Sequence, residues 1–431
     1  MRVDGGHSLK TPESDAKPYW QFAPIVVVIV VLSGLVFIAL HWRGIPLSPD
    51  GWAYWQAAAS IANGMGYRDF AGTPLTAWPP LYSLYLSLWV RVMGATGLAL
   101  VVANGVLIVL QSLAWFTAIY YMWNLSHGVR RTSTSFAVAI YVAVYVPLTL
   151  QAAHSANLGF LCNGLTLVAT WQLSQIHAPR YRFRWLLAAV AAATFALLSH
   201  NINLAFVVGC GFALVLAGNK SRGDVAGGLA LVIVPLVVWI FVRWQLGQLN
   251  SHPIGFGLAQ FSPVQYIAQM AIVIGNLIVP NKFSAPVVLS AALLAWCVWI
   301  LVSGTQGRGR TGARFTAAIV VLASALIVLL FSVTSVTDPI SARFVGWVPV
   351  LIVPALLIYS SRVSLGALIV VAAIVLAPNI HRVAVFAAIH AVPQSPGETG
   401  VLFPIGALIS PEYTTGPSVQ TDHGLLIAPP K

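Results

Sequence analysis

Long apolar runs alternate with short polar segments along most of the chain. The first run is PIVVVIVVLSGLVFIALHW, residues 24–42. It carries no Asp, Glu, Lys or Arg and, at about 1.5 Å per residue, is long enough to cross the hydrocarbon core of a bilayer. A mixed polar stretch follows to about residue 80, then a short apolar segment at 81–93 and a long one at 97–123. Further runs at 134–153, 158–176, 185–199, 203–217, 225–243, 286–303, 315–334, 346–359 and 364–378 each predict another membrane helix, about eleven crossings in all. Segment 81–93 is too short to span comfortably and is expected to lie along the membrane surface. The weaker apolar stretch 264–280 is expected to be interfacial or re-entrant. The pattern predicts an all-α integral membrane protein with one polytopic domain over 1–378. Its first outer loop, 43–96, carries interfacial helices. The stretch 379–431 is rich in Pro, Gly and Ser, shows no clear period and reads as an outer tail. No internal repeat stands out.

Composition excludes a water-soluble alternative. Of 431 residues, 58% are hydrophobic and 7% are charged, against roughly 25% charged in soluble domains. The formal net charge of +12 does not point to nucleic acid, because the basic residues cluster between apolar runs, where they orient a membrane protein. With the N-terminus inside, the short inner loops hold Arg130 and Arg131, Arg180, Arg182 and Arg184, Lys220 and Arg222, and Arg308, Arg310 and Arg314. The long aromatic loops 43–80 and 244–285 then fall outside. If 81–93 did span, every later loop would change side. Cys162, Cys210 and Cys297 all lie in apolar runs without metal-ligand or disulfide spacing. The first apolar run lacks a small-residue cleavage site and is expected to be a retained helix.

Acids are scarce, so each is informative. Of ten, Asp4, Glu13, Asp15 and Asp224 are expected inside, and Glu398, Glu412 and Asp422 lie in the tail. Asp50, Asp69 and Asp338 remain near the outer face. In SPDGWAYWQAAASIANGMGY, Ser48 reads as an N-cap, Pro49 as the first helical position and Asp50 as a first-turn acid, with Tyr54 one turn on along the same face. Asp50 has two readings of equal weight. It complements the helix dipole, or it serves as a general base, whose ionised form that dipole favours. Outer cations could meet an anion. Arg343 precedes a span in TDPISARFVGWVP, where a salt bridge to Asp338 is the competing reading. Lys282 and Arg68 are further candidates that read more simply as snorkelling side chains. His154 and His200 lie at outer span ends, where a satisfied buried hydrogen bond is the simpler role. Trp52, Trp55 and Trp78 fit a membrane-interface belt or a sugar-stacking surface equally.

One apolar helix, then SPDGWAYWQAAASIANGMGY, then TAWPPLYSLYLSLWVRVMG, then a long helix ending in a basic loop form a familiar order. It resembles the polytopic glycosyltransferases of the GT-C class, which include the protein O-mannosyltransferases and the lipid A aminoarabinose transferases. Asp50, Tyr54, Gly64, Gly66, Tyr67, Pro79, Pro80 and Leu81 fall on the motif of that family's first outer loop. Arg343-Phe344 with Trp347 and Pro349 looks like its later Arg-aromatic-Pro motif. The similarity covers about residues 20–200 well and is looser beyond. Family members often carry a second acid at the outer start of the fourth helix; here HSANLGF supplies Asn157. A two-acid or metal-bridged site then lacks one ligand, no cofactor is named with certainty, and a divalent cation stays open.

The resemblance implies transfer of a sugar from a polyprenyl-phosphate carrier to an acceptor hydroxyl at the outer face of the cytoplasmic membrane, with inversion. Asp50 would act as base. Arg343, Lys282, Arg68 and Tyr54 would serve the donor phosphate, and Asp69, Asp338, Trp78, His154 and His200 would support the site. The acceptor, whether glycan, lipid or protein, is not specified. Two other classes compete. A lipid or solute transporter usually places ionisable groups at the bilayer midplane, in repeated halves, whereas here charges sit at helix ends. A non-catalytic membrane subunit is kept open by Asn157. The topology is testable: single cysteines at Ser133 and Thr415 should differ in labelling by a membrane-impermeant thiol reagent, Thr415 from outside and Ser133 only after permeabilisation. Labelling of both from outside, or of neither, contradicts it.

Overall fold

Local signals set many of the helix starts. Thr96 accepts a hydrogen bond from the Ala99 amide at 3.3 Å to open one helix. Ser221 and Asp224 form a reciprocal capping box at another. Pro179 fills a first-turn position at a third, where its missing N–H costs nothing. The computed structural model describes residues 23–41, 45, 49–69, 71–75, 78–125, 131–149, 155–176, 178–217, 221–247, 262–278, 285–302, 310–333 and 340–390. Among these residues every element is helical: α1 (Ala23–His41), α2 (Pro49–Ala62), α3 (Leu81–Met93), α4 (Gly97–Met122), α5 (Arg131–Thr149), α6 (Ser155–Gln175), α7 (Pro179–Ser199), α8 (Asn203–Ala217), α9 (Arg222–Gln245), α10 (Pro263–Ile278), α11 (Ala285–Val302), α12 (Arg310–Val333), α13 (Ala342–Val345), α14 (Trp347–Val363) and α15 (Leu365–His390).

Each of the eleven apolar runs forms a helix. Seven helices, α1, α4, α5, α7, α9, α12 and α15, are long and apolar enough to cross a membrane. The others on the spanning path are shorter, or, as in α6, carry buried amides and hydroxyls that lower their apolarity. The chain is an integral membrane protein with an all-helical, polytopic fold. Its surface has the polarity such a solvent demands. Val27, Val31 and Leu35 on α1, Leu229, Ile233 and Val237 on α9, and Ile369, Val370 and Ile374 on α15 are exposed, while Asn104, Gln111, Asn157, Asn163 and Asn203 are buried. Apolar side chains lose nothing against lipid, and amides need partners inside the protein.

The short segment 81–93 is α3 with the same bounds. It buries Tyr82, Ser83, Leu86, Ser87 and Val90 against the bundle and turns Leu84, Leu88 and Val92 outward. A helix with an inward small-and-polar stripe and an outward apolar stripe suits a surface position. Within the stretch 264–280, the described residues are helical as α10, which ends at Ile278. The last helix runs through Pro378 to His390, so residues 379–390, read from sequence as the start of the tail, are helical. Proline removes one backbone bond but does not end a helix whose neighbours stay apolar.

α6 packs between α4 and α7, α8 lies on α12 and α9, and α1 lies on α5 and α4. α2 and α3 pack together and rest on this bundle near the start of α6. At the opposite end, Arg182 pairs with Asp224 at 2.6 Å across the starts of α7 and α9, and Arg362 lies 5.3 Å over the Tyr359 ring. α8 and α9 meet backbone to backbone: a Cβ built on Gly228 would stand 2.7 Å from the Gly211 carbonyl oxygen. Neither backbone yields cheaply. Gly228→Ala should therefore lower stability by about 1–3 kcal/mol through overpacking, despite alanine's better helix propensity. Gly34→Ala, where nothing lies within 4 Å, should be neutral or slightly stabilising. Thermal unfolding in detergent separates the two.

Candidate functional site

α2 begins at Pro49 and carries Asp50 in its first turn. Ser48, the expected cap, lies outside the described residues. The indole of Trp78 donates to Asp50 Oδ1 at 3.0 Å, bringing together two residues 28 positions apart. Trp78 is itself fixed. Tyr67 Oη donates to the carbonyls of Trp78 at 2.9 Å and Pro79 at 3.3 Å. Tyr67 reaches back because the chain leaves α2 through Gly64 (φ 76) and Gly66 (φ 83), left-handed positions that glycine occupies without strain. A neutral donor orients a carboxylate without neutralising it, which suits a base.

Tyr54 follows one turn later and is 1% exposed. Burial pushes its hydroxyl well above the usual tyrosine range, with a hydrogen bond to Ser155 offsetting part of that rise. It stays a neutral phenol. Its ring meets Tyr82 edge-on, centroids 5.4 Å apart. Tyr82 Oη donates to Asn104 Oδ1 at 2.9 Å, and Asn157 Nδ2 donates to the same oxygen at 3.0 Å. Gln111 Nε2 in turn donates to the Asn157 carbonyl. Asn104 Nδ2 is bound to the Leu100 carbonyl at 2.9 Å, which fixes the face that Asn104 presents. Asn157 therefore stands near Tyr54, with its amide donating into this network.

A second group gathers at the same end. The chain turns through α13 into α14, with the Phe344 ring 5.2 Å from Phe331 and 6.0 Å from His200. Ile340 N donates to Gln269 Oε1 at 3.4 Å, Tyr145 Oη donates to the Gly346 carbonyl at 3.2 Å, and Trp347 Nε1 donates to the Phe344 carbonyl at 2.9 Å. Arg343 lies in α13, where its backbone is described and its side chain is not. His200 accepts from Ile202 N at 3.3 Å and faces this turn.

The other candidates separate. Arg68 and Asp69 serve the turn after α2: Arg68 Nη1 donates to the Gly72 carbonyl at 3.4 Å, and Thr73 N donates to Asp69 Oδ1 at 2.8 Å. Lys282, Asp338 and His154 lie outside the described residues. Trp55 is buried in the hydrophobic core, and Trp52, half-buried, packs against it. Tyr67, Tyr82, Asn104 and Ser155 were not singled out from sequence for chemistry. Asn104 and Gln111 did leave a signal, two amides seven apart on one face of an otherwise apolar helix.

No protein-family model matches the chain, and no curated protein matches it. Solved structures do. The crystal structure of ArnT from Cupriavidus metallidurans bound to undecaprenyl phosphate is 15% identical, with 86% of this chain and 77% of that chain covered and a TM-score of 0.46. The apo structure of the same protein is 16% identical, with 86% and 74% covered and a TM-score of 0.40.

The amide at position 157 is a donor in a packed network, so an acid there would set an acceptor against the Asn104 oxygen. Asn157→Asp should lose about 1–3 kcal/mol of stability, the usual cost of a buried polar group without its partner. An unchanged unfolding temperature in detergent would remove the network from this account.

Proposed function

We propose that the protein transfers a sugar from a polyprenyl-phosphate carrier to an acceptor hydroxyl at the outer face of the cytoplasmic membrane, with Asp50 as general base. The observation that carries this reading is the placement of Asp50. It is a first-turn acid of an interfacial helix, with its carboxylate oriented by Trp78 Nε1 at 3.0 Å, on the acid position of the first-loop motif. The Arg-aromatic-Pro motif supports it, because α13 gathers at the same end of the bundle.

In this mechanism the acceptor hydroxyl donates its proton to the Asp50 carboxylate as its oxygen attacks the anomeric carbon. The carbon–oxygen bond to the carrier phosphate breaks on the opposite face, which inverts the centre. Trp78 holds the carboxylate in one orientation, and Tyr67 holds Trp78. Tyr54, kept neutral by burial, retains a hydroxyl that can donate a hydrogen bond. Arg343 would stabilise the departing lipid phosphate, a role suited to a planar, permanently charged group. The sugar and the acceptor are not specified by these residues.

A non-catalytic relative is the second reading, favoured by the amide at position 157. Transfer from a radiolabelled polyprenyl-phosphate sugar pool decides between them. Asp50→Asn keeps the side chain's size and an oxygen for the Trp78 indole, and removes the base. It should lower turnover by about 10²–10⁴-fold. Asp69→Asn, whose side chain serves the neighbouring turn, should have a much smaller effect. Activity within a few-fold of wild type in Asp50→Asn would falsify the catalytic role.

A further inference from the structure

The end of the bundle opposite the candidate site carries more positive charge than it pairs. α7 and α9 start there beside one another. Arg182 Nη2 meets Asp224 Oδ1 at 2.6 Å, and a Cβ built on Gly223 would stand 3.3 Å from the same nitrogen. Asp224 Oδ2 accepts from Ser221 N at 3.1 Å and from Ser221 Oγ at 2.9 Å. Both carboxylate oxygens are therefore engaged, and among the described residues no other carboxylate lies at this end. Arg180 and Arg184 on α7 and Arg222 on α9 are exposed and form no ion pair among the described residues. Arg184 lies 5.9 Å over the ring of Tyr181, which is exposed as well.

Beside these cations the two helices repeat one pattern. Exposed Leu187, Ala191 and Phe195 follow Arg180 at offsets of 7, 11 and 15 residues, and exposed Leu229, Ile233 and Val237 follow Arg222 at the same offsets. Those offsets hold to one face of a helix, and Arg184, one turn on from Arg180, shares it. The apolar part of each stripe extends about 12 Å at 1.5 Å rise per residue, close to the roughly 15 Å of hydrocarbon in one leaflet. Each helix thus presents cations at headgroup level above an apolar strip as long as an acyl chain. Lipid contact alone requires the strip and not the cations. Arginine suits a phosphate, to which it donates in a planar fork. A zwitterionic headgroup brings an ammonium that competes for its own phosphate, whereas an anionic headgroup leaves that phosphate to the protein.

We infer that the starts of α7 and α9 form a docking surface for anionic phospholipid, with the headgroups at Arg180, Arg184 and Arg222 and the acyl chains along the two stripes. The Arg182–Asp224 pair holds the two starts together and occupies the acid, so the outward arginines keep their charge for the lipid. This surface lies apart from Asp50 and from the α13 turn, and it does not rest on the transferase reading.

The test is lipid binding by the full chain. Purified protein is equilibrated in detergent with palmitoyl-oleoyl phosphatidylglycerol and with the matching phosphatidylcholine, and bound lipid is counted by native mass spectrometry. Wild type should retain phosphatidylglycerol in preference. A basic residue near a membrane surface contributes about 1 kcal/mol toward anionic lipid, so each of Arg180→Gln, Arg184→Gln and Arg222→Gln should weaken phosphatidylglycerol binding about fivefold. The triple variant should weaken it by about 10²-fold and leave phosphatidylcholine unchanged. It should unfold near the wild-type temperature, because the Arg182–Asp224 pair is untouched; if it does not, the three single variants carry the test. Arg91→Gln, an exposed arginine on α3, should change binding less than twofold. The inference is overturned if wild type holds both lipids equally, if the variants bind phosphatidylglycerol like wild type, or if Arg91→Gln weakens binding as much as Arg222→Gln.

Discussion

Asn104 Oδ1 accepts two hydrogen bonds, from Tyr82 on the interfacial helix α3 and from Asn157 on α6. The surface layer that carries the candidate site depends on that junction. An amide oxygen buried among apolar helices has no water to fall back on, so the partners it has must hold. Two good bonds to one acceptor fix α3 against α4 and α6 together. Tyr82 then presents a fixed edge to Tyr54, and Tyr54 is pinned a second time through Ser155. The interfacial helices are fastened by polar contacts, because a surface in contact with lipid provides little hydrophobic drive for docking.

This fastening bears on the role proposed for Asp50. A carboxylate on a loose loop would sample many orientations, and a positioned base gains its effect from holding one. The restraint reaches Asp50 by two routes. One runs through its own helix to Tyr54. The other runs across space through Trp78, whose backbone carbonyl is held by Tyr67. Both routes use neutral groups.

The helical frame was legible because its signal is local and repeated. Each long apolar run became a helix, and α3 kept the bounds of its segment because thirteen residues of one amphipathic pattern start and stop abruptly. The site was legible in part. Asp50 and Tyr54 share a helix face, which spacing alone reveals, and Trp78 was among the supporting candidates. Its bond to Asp50 was not foreseeable, since nothing in the intervening residues encodes the return of the chain. Asn104 and Ser155 were missed for the same reason, and Tyr67, placed on the family motif, was given no partner: their roles lie in contacts between segments apart in sequence. Arg68, read from sequence as an outer cation, donates to the Gly72 carbonyl in the turn after α2, a local contact that the sequence does not spell out. The extent of α15 was hidden by Pro378, which reads as a stop in sequence and is tolerated within the helix.

The two parts of the site share an anchor. Ser155, which holds Tyr54, opens α6, and Tyr145, which holds Gly346, lies one turn before the end of α5. These residues flank a single corner of the chain. The acid on α2 and the turn carrying Arg343 are therefore both referred to the α5–α6 corner, although they lie almost three hundred residues apart. Pro147 within the last turns of α5 and the tight stacking of Tyr141 on Tyr145 stiffen the side of the corner facing α14. On the other side Asn157, three residues into α6, joins the Asn104 junction. An amide there does structural work that an acid would undo. The amide at position 157 is thus coupled to how the layer is held.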